Sequence, residues 1–227
     1  MTRPTPESRG GKLIGELRRE FLKVEEQIRL HRFLAALDQG RVPRERLAAF
    51  AGEQNAIMSS DRRSLALLAS RFPEPPAGDL FLSLAQGEGR ALELLRAFAA
   101  AVGADEAGLR AHEPEPGAQA YASCVAWLAL NGSPADVSLA LLANLAAWGA
   151  NCGRVAEALC ARYEFDDGAV AFFSFFAAPP PDSEQRLLAV LDEGLASGDS
   201  PVRARRAARL LQAYELLFWD TLAEGLA

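Results

Sequence analysis

One carboxylate and two amides in this chain stand in apolar surroundings, where a polar side chain needs a reason to be. Glu215 is set among Leu211, Leu216, Leu217, Phe218 and Trp219. Burial there would raise its pKa and make it a general acid or a ligand contact; the alternative is the exposed face that every helix has. Asn144, Trp148 and Asn151 recur at i, i+4 and i+7 within a stretch of Ala and Leu, which puts them on one helix face. A buried amide without partners costs about 1–3 kcal/mol. The stripe is therefore either the wall of a wet pocket or a set of hydrogen bonds to neighbouring helices. The remaining reactive groups are few. Two histidines, His31 and His112, cannot build a histidine-rich metal site, so no metal is expected. Cys152 lies next to Gly153 in mid-helix, away from any N-terminus that would lower its pKa, and reads as an inert packing residue.

The elements that must position these groups are helical throughout. Leu13, Ile14, Leu17, Phe21, Val24, Ile28 and Phe33 recur at helical spacing and predict a first helix ending near Gly40. Pro43 opens a second, with Leu47, Phe50, Ile57, Leu65 and Leu68 on it, and Pro73 stops it. A third runs from Leu80 to Val102, capped by Gly103, and a fourth from Ala118 to Leu130. Ser133-Pro134-Ala135-Asp136 supplies a cap, a proline and an acid for the first turn of a fifth helix, which runs to about Tyr163 and is apolar enough to be central. After the aromatic run Phe172 to Phe176, read as core, come a short helix from Asp182 to about Ala196 and a last one begun by Ser200-Pro201. Strand signals are missing. The reading is an all-α bundle of about seven or eight helices in one domain over 1–227, with 1–11 flexible.

Bulk properties narrow the function classes. A net charge of −6 and a pI near 5.1 argue against a nucleic-acid partner. Arg203, Arg205, Arg206 and Arg209 then read as ordinary charged surface, and the Glu53-Gln54-Asn55 run as solvated surface from which only Gln54 is kept as a candidate site residue. No apolar span of about 18 residues predicts a membrane helix, and Met1 to Gly11 is too polar for a signal peptide. Three cysteines, an odd number within helical patterns, suit reduced thiols in a cytoplasm.

His31-Arg32-Phe33-Leu34, Gln39-Gly40, Val42-Pro43, Leu47, Phe98 to Gly103, Tyr121, Ser133-Pro134-Ala135, Leu141-Leu142, Gly153 and the closing Tyr214-Glu215-Leu216-Leu217-Phe218-Trp219 follow one another along nearly the whole chain. In that succession the sequence resembles the TenA-like proteins of the haem-oxygenase-like fold. Its middle is most similar to the branch with the pyrroloquinoline-quinone synthesis oxidase and the chlamydial di-iron protein. The resemblance implies a helical bundle around a small-molecule cavity bounded by the second, fifth and last helices, with Gln54, Asn144, Trp148, Asn151, Tyr214 and Glu215 as its residues. It leaves a homo-oligomer open.

The resemblance also implies what has been replaced. Gln54 stands where the thiamine-salvage enzymes carry an aspartate, Ile57 for a tyrosine, Asn144 for the cysteine nucleophile and Trp148 for a second tyrosine. Glu215 beside Tyr214 is what persists. Of the di-iron branch's ligands Glu88 has a counterpart, whereas Ala91, Ala146, Phe176 and positions near Pro180 and Ser183 carry none of the others. The expected protein is a metal-free, cofactor-free small-molecule binder whose cavity holds one charge, Glu215. The alternatives are an aminopyrimidine hydrolase of thiamine salvage, should Cys152 reach the site, or a cofactor-independent oxidase.

Overall fold

Prolines, glycines and short capping side chains cut the chain into its helices. The computed structural model describes residues 8–226. Ser8 accepts from the Gly11 N–H and starts α1 (Arg9–Arg29). The first seven residues, part of the segment expected to be flexible, lie outside the described residues, whereas Arg9 to Gly11 are helical. Gly10 is needed there: its N–H donates to Asp192 Oδ1 at 2.7 Å, and a Cβ would lie 2.9 Å from that oxygen.

The helix expected to continue to Gly40 is two helices, because His31 interrupts it. Its Nδ1 accepts from the Phe33 N–H at 3.2 Å and its Nε2 bonds Asp220 Oδ1 at 3.1 Å, so the imidazole caps α2 (Arg32–Asp38) in extended backbone. Gly40, at φ +67°, turns the chain into α3 (Arg44–Arg71), which begins directly after Pro43. Next come α4 (Ala77–Ala101), closed by Gly103 at φ +83°, and α5 (Glu106–Ala111), a single short helix capped by Asp105 inside what reads as a polar loop. Then follow α6 (Pro116–Asn131) and α7 (Pro134–Tyr163). The start of α7 is a full capping box: Ser133 Oγ accepts from the Asp136 N–H, and Asp136 Oδ2 accepts from the Ser133 N–H. The chain ends in α8 (Ala171–Ala177), α9 (Ser183–Ala196) and α10 (Pro201–Leu222), the last capped by Ser200. The described residues thus form ten helices and no strand, three short ones more than the seven segments traced in the sequence.

Two apolar clusters fill the bundle. One is aromatic and centres on Phe50, whose ring lies 5.4–6.1 Å from those of Phe33, Phe98, Phe173, Phe218 and Trp219 in tilted and edge-on geometries. The other is mainly aliphatic, rich in Leu and Ala, with residues from α1, α3, α4, α6, α7, α9 and α10. Phe172 and Phe173 are fully buried in the aromatic cluster, as their composition predicts.

Glu53 departs from its expected place on the surface. It is 1% exposed. Its Oε1 accepts from the Glu115 N–H at 2.8 Å and bonds His112 Nε2 at 2.9 Å, and its Oε2 accepts from Gln119 Nε2 at 2.6 Å. One carboxylate on α3 thereby ties down the α5–α6 junction. Gly52 makes the approach possible, since a Cβ there would meet the His112 ring at 2.4 Å.

Two stability measurements check this architecture. Phe50→Ala should cost about 3–5 kcal/mol in chemical denaturation, the scale of an emptied aromatic site. Glu53→Ala should cost about 1–3 kcal/mol, because it leaves buried donors unanswered. A Glu53→Ala protein as stable as the parent would show that the junction does not depend on this carboxylate.

Candidate active site

A cavity of about 150 Å³ lies where the two clusters meet. The second, fifth and last helices of the sequence reading are α3, α7 and α10, and all three line it, joined by α4, α6, α8 and α9. Gln54, Asn144, Trp148 and Glu215 are brought together on its wall.

The two other expected residues lie elsewhere. Asn151 shares the face of Asn144 but lies about 10.5 Å further along the α7 axis, past the end of the cavity. Its Nδ2 donates to the Ile28 carbonyl at 3.3 Å, linking α7 to the end of α1. Tyr214 precedes Glu215 by one residue, about 100° around the helix. It lines a shallow outer groove with Trp127 and Arg206 instead.

Glu215 is 2% exposed and is held by donors from two directions. Asn144 Nδ2 donates to its Oε2, and Trp219 Nε1, one turn on, donates to its Oε1 at 3.3 Å. Asn144 Nδ2 also reaches Gln212 Oε1 at 3.3 Å, while its Oδ1 accepts from the Tyr121 hydroxyl at 3.2 Å. Burial pushes the Glu215 carboxyl up to about 8; the Trp219 indole pulls against that rise and Glu25 adds to it. Trp148 walls the same space, with its ring 5.8 Å from Phe176 and 6.2 Å from Phe218.

Glu215 is not the only acid here. Asp61 and Glu88 also line the cavity, and no Lys, Arg or His does so among the described residues. Asp61 is 6% exposed, and burial pushes its carboxyl up to about 8. Glu88 is raised well above the usual range by burial and by Asp61 opposite it. Asp61 Oδ1, Glu88 Oε2 and Gln54 Oε1 are all buried without a hydrogen-bond partner. The sequence did contain a signal for Asp61: it stands seven residues after Gln54, on the same face of α3. The charged run Asp61-Arg62-Arg63 hides it by resembling surface.

No cysteine lines the cavity. Cys152 is buried in the aromatic cluster, its thiol pushed upward by burial and by Glu215, and Cys160 is exposed. Among the described residues no group of three or more His, Cys, Asp and Glu is arranged to hold a metal ion. The positions at Ala91, Ala146, Phe176, Pro180 and Ser183 offer no carboxylate or imidazole, so this donor set does not fit a di-iron centre.

The raised acids carry a signed pH dependence. Between an unfolded value near 4.5 for Glu215, or 3.8 for Asp61, and a folded value of about 8, the folded chain binds more protons than the unfolded one. Stability therefore falls as pH rises through that window, by at most about 1.4 kcal/mol per pH unit and group. Denaturation from pH 5 to 8 should show the decline, and Glu215→Gln or Asp61→Asn should each flatten it. An unchanged slope in both variants would mean that neither carboxyl is held neutral.

Comparison with known proteins places this geometry. A search of curated proteins gives no match. A TenA homologue from P. horikoshii OT3 is 20% identical, with a TM-score of 0.73 over 92% of this chain and 97% of that one. A TenA homologue from Pseudomonas syringae pv. tomato reaches a TM-score of 0.81 at 13% identity, over 99% of each chain. A domain of unknown function with a haem-oxygenase-like fold from Shewanella denitrificans matches at 0.73 and 12% identity, over 92% and 91%. These likenesses show the fold. The family model of TENA/THI-4/PQQC matches residues 20–224, almost the whole described chain, and the protein belongs to that family.

Proposed function

We propose that the chain is a small-molecule-binding member of this family that works without a thiol nucleophile or a metal. The observation that carries the reading is Asn144. The resemblance sets the hydrolase cysteine at this position, and the side chain there is an amide committed to Glu215, Gln212 and Tyr121. An amide is not a nucleophile, and Cys152 lies off the cavity wall. What remains is a small, partly open space with one flat aromatic side and several polar contacts, which suits recognition of a compact ring. At about 150 Å³ it is smaller than the roughly 300–1,000 Å³ of drug-sized pockets, so the ligand is small. No described helix is long and apolar enough to cross a membrane, in keeping with a protein that meets its ligand in the cytoplasm.

A second reading is favoured by one observation. Glu215, pushed up to about 8 inside the cavity, can hold or give a proton near neutral pH, as a general acid must. In an aminopyrimidine hydrolase, water would replace the amino group and ammonia would leave; a cofactor-independent oxidase would likewise need such an acid or base.

The two readings separate in one titration. Trp148 lines the cavity, so an aminopyrimidine should quench part of the tryptophan fluorescence saturably, without release of ammonia. Glu215→Gln should weaken that binding by about 1–3 kcal/mol and leave the helical content unchanged. Ammonia release that survives Cys152→Ala and disappears in Glu215→Gln would establish the hydrolase instead. Quenching that persists unaltered in Trp148→Phe would show that the ligand does not enter this cavity.

A further inference from the structure

Along its 16 residues α6 carries no charged side chain, although one of its sides faces solvent. Every other helix longer than seven residues contains charges. The outward side of α6 holds Ala120, Ser123, Trp127 and Leu130, with Trp127 57% and Leu130 65% exposed. A helix without a charged face belongs between other elements, not at a boundary with water. Beside it α10 runs antiparallel. A Cβ on Gly117 would lie 3.5 Å from Leu217 Cγ at one end, and Arg203 Nη2 donates to the Asn131 carbonyl at 3.0 Å at the other. Between the two helices lies the shallow groove in which Trp127, Leu210 and Tyr214 stand with Ala120 and Ser123, and the exposed Leu217 extends its apolar edge. Tyr214, turned away from the cavity, belongs to this surface.

We propose that a second copy of this chain docks on the α6–α10 face, about a two-fold axis that crosses α6 level with Ser123 and Cys124. A two-fold interface lays a patch onto itself, so a charged side chain near the axis meets its own like charge. On α6 there is none to repel. The axis sets the two α6 helices antiparallel. Ala120 and Trp127 stand equally far from it in sequence, so each Trp127 ring comes over Ala120 of the other copy, where the small side chains of Ala120 and Ser123 leave room beside Tyr214.

The charges at the rim of the face are complementary under the same operation. Exposed Glu115 precedes the start of α6, while Arg203 and Arg206 stand beside its end, and antiparallel pairing brings the acid of one copy towards the arginines of the other. Among the described residues neither Glu115 nor Arg206 has an ion-pair partner within its own chain. An unrelated acidic protein would answer the arginines but oppose Glu113 and Glu115, and a lipid surface would have to receive those acids beside the apolar residues. Self-pairing answers both signs at once.

The test is sedimentation of the full chain over a dilution series. The parent should run as a dimer that dissociates on dilution. Trp127→Glu should weaken the dimer roughly 30-fold or more, the scale of a lost central tryptophan, with helical content unchanged because the side chain is exposed. Arg206→Glu should weaken it as well, and Arg206→Glu/Glu115→Arg should recover the parent's affinity, as antiparallel approach of those two ends requires. In Ser123→Cys/Cys160→Ser, which also removes the exposed native thiol, mild oxidation should join two chains, since the axis brings both copies of position 123 together. A parent that is monomeric at every concentration would overturn the proposal, and its co-sedimentation with phosphatidylcholine vesicles would then assign the face to a lipid surface. A dimer that is indifferent to Trp127→Glu and is not joined through position 123 would place the interface elsewhere and overturn it equally.

Discussion

The hydrogen bond from Asn144 to Glu215 crosses the interior between α7 and α10, and much of the bundle is organised around it. A carboxyl in an apolar bundle is costly without donors, and those of Glu215 come from α7 and from Trp219 on the same helix. Asn144 in turn engages Gln212 and Tyr121, so α6, α7 and α10 share one polar strut. Trp219, which donates to Glu215, also packs on Phe33, Phe50 and Trp148. The strut is thereby locked into the aromatic cluster. Helices fixed in this way by polar contacts cannot close onto one another as a purely apolar seam would, and the space left between them and α3 and α4 is the cavity.

Acceptors outnumber donors around that space. Asp61, Glu88 and Glu215 bring three carboxyls with no cation, and burial raises each of them. Protonation answers part of the excess, at a cost to stability that grows with pH. Such an arrangement is unfavourable for folding alone, and conditions of this kind cluster at sites that bind or react.

The helical architecture was legible because its signals are local. Ser133-Pro134-Ala135-Asp136, Ser200-Pro201, Pro43 and Gly103 end or begin helices through their own backbone chemistry. His31 shows the limit: its cap on α2 depends on Asp220, 189 residues away, and no spacing rule reports that. The site was legible where polarity breaks an apolar face, as at Asn144 and Glu215. It was harder to read at Asp61 and Glu53, which stand in charged or polar runs in the sequence and become buried only when other helices cover them, while Glu88 was noted through the resemblance alone and not as a cavity acid. Asn151 failed for the opposite reason: it shares a face with Asn144 on paper but is claimed by the Ile28 carbonyl.

Glu53 and Asp61 make the distinction between structural and available acids concrete. They lie on the same helix, eight residues apart, and both are buried. Glu53 faces outward from the cavity to the α5–α6 junction, where three donors meet it. Its hydrogen bonds are complete within the chain, and adding a ligand would only displace them. Asp61 Oδ1 faces the cavity and meets none. Burial alone would class the two together, and sequence context would class both as surface. Counting the donors around each oxygen separates them, because a carboxyl that the chain has satisfied belongs to its architecture, while one left unsatisfied beside an open space has capacity for something the chain does not contain.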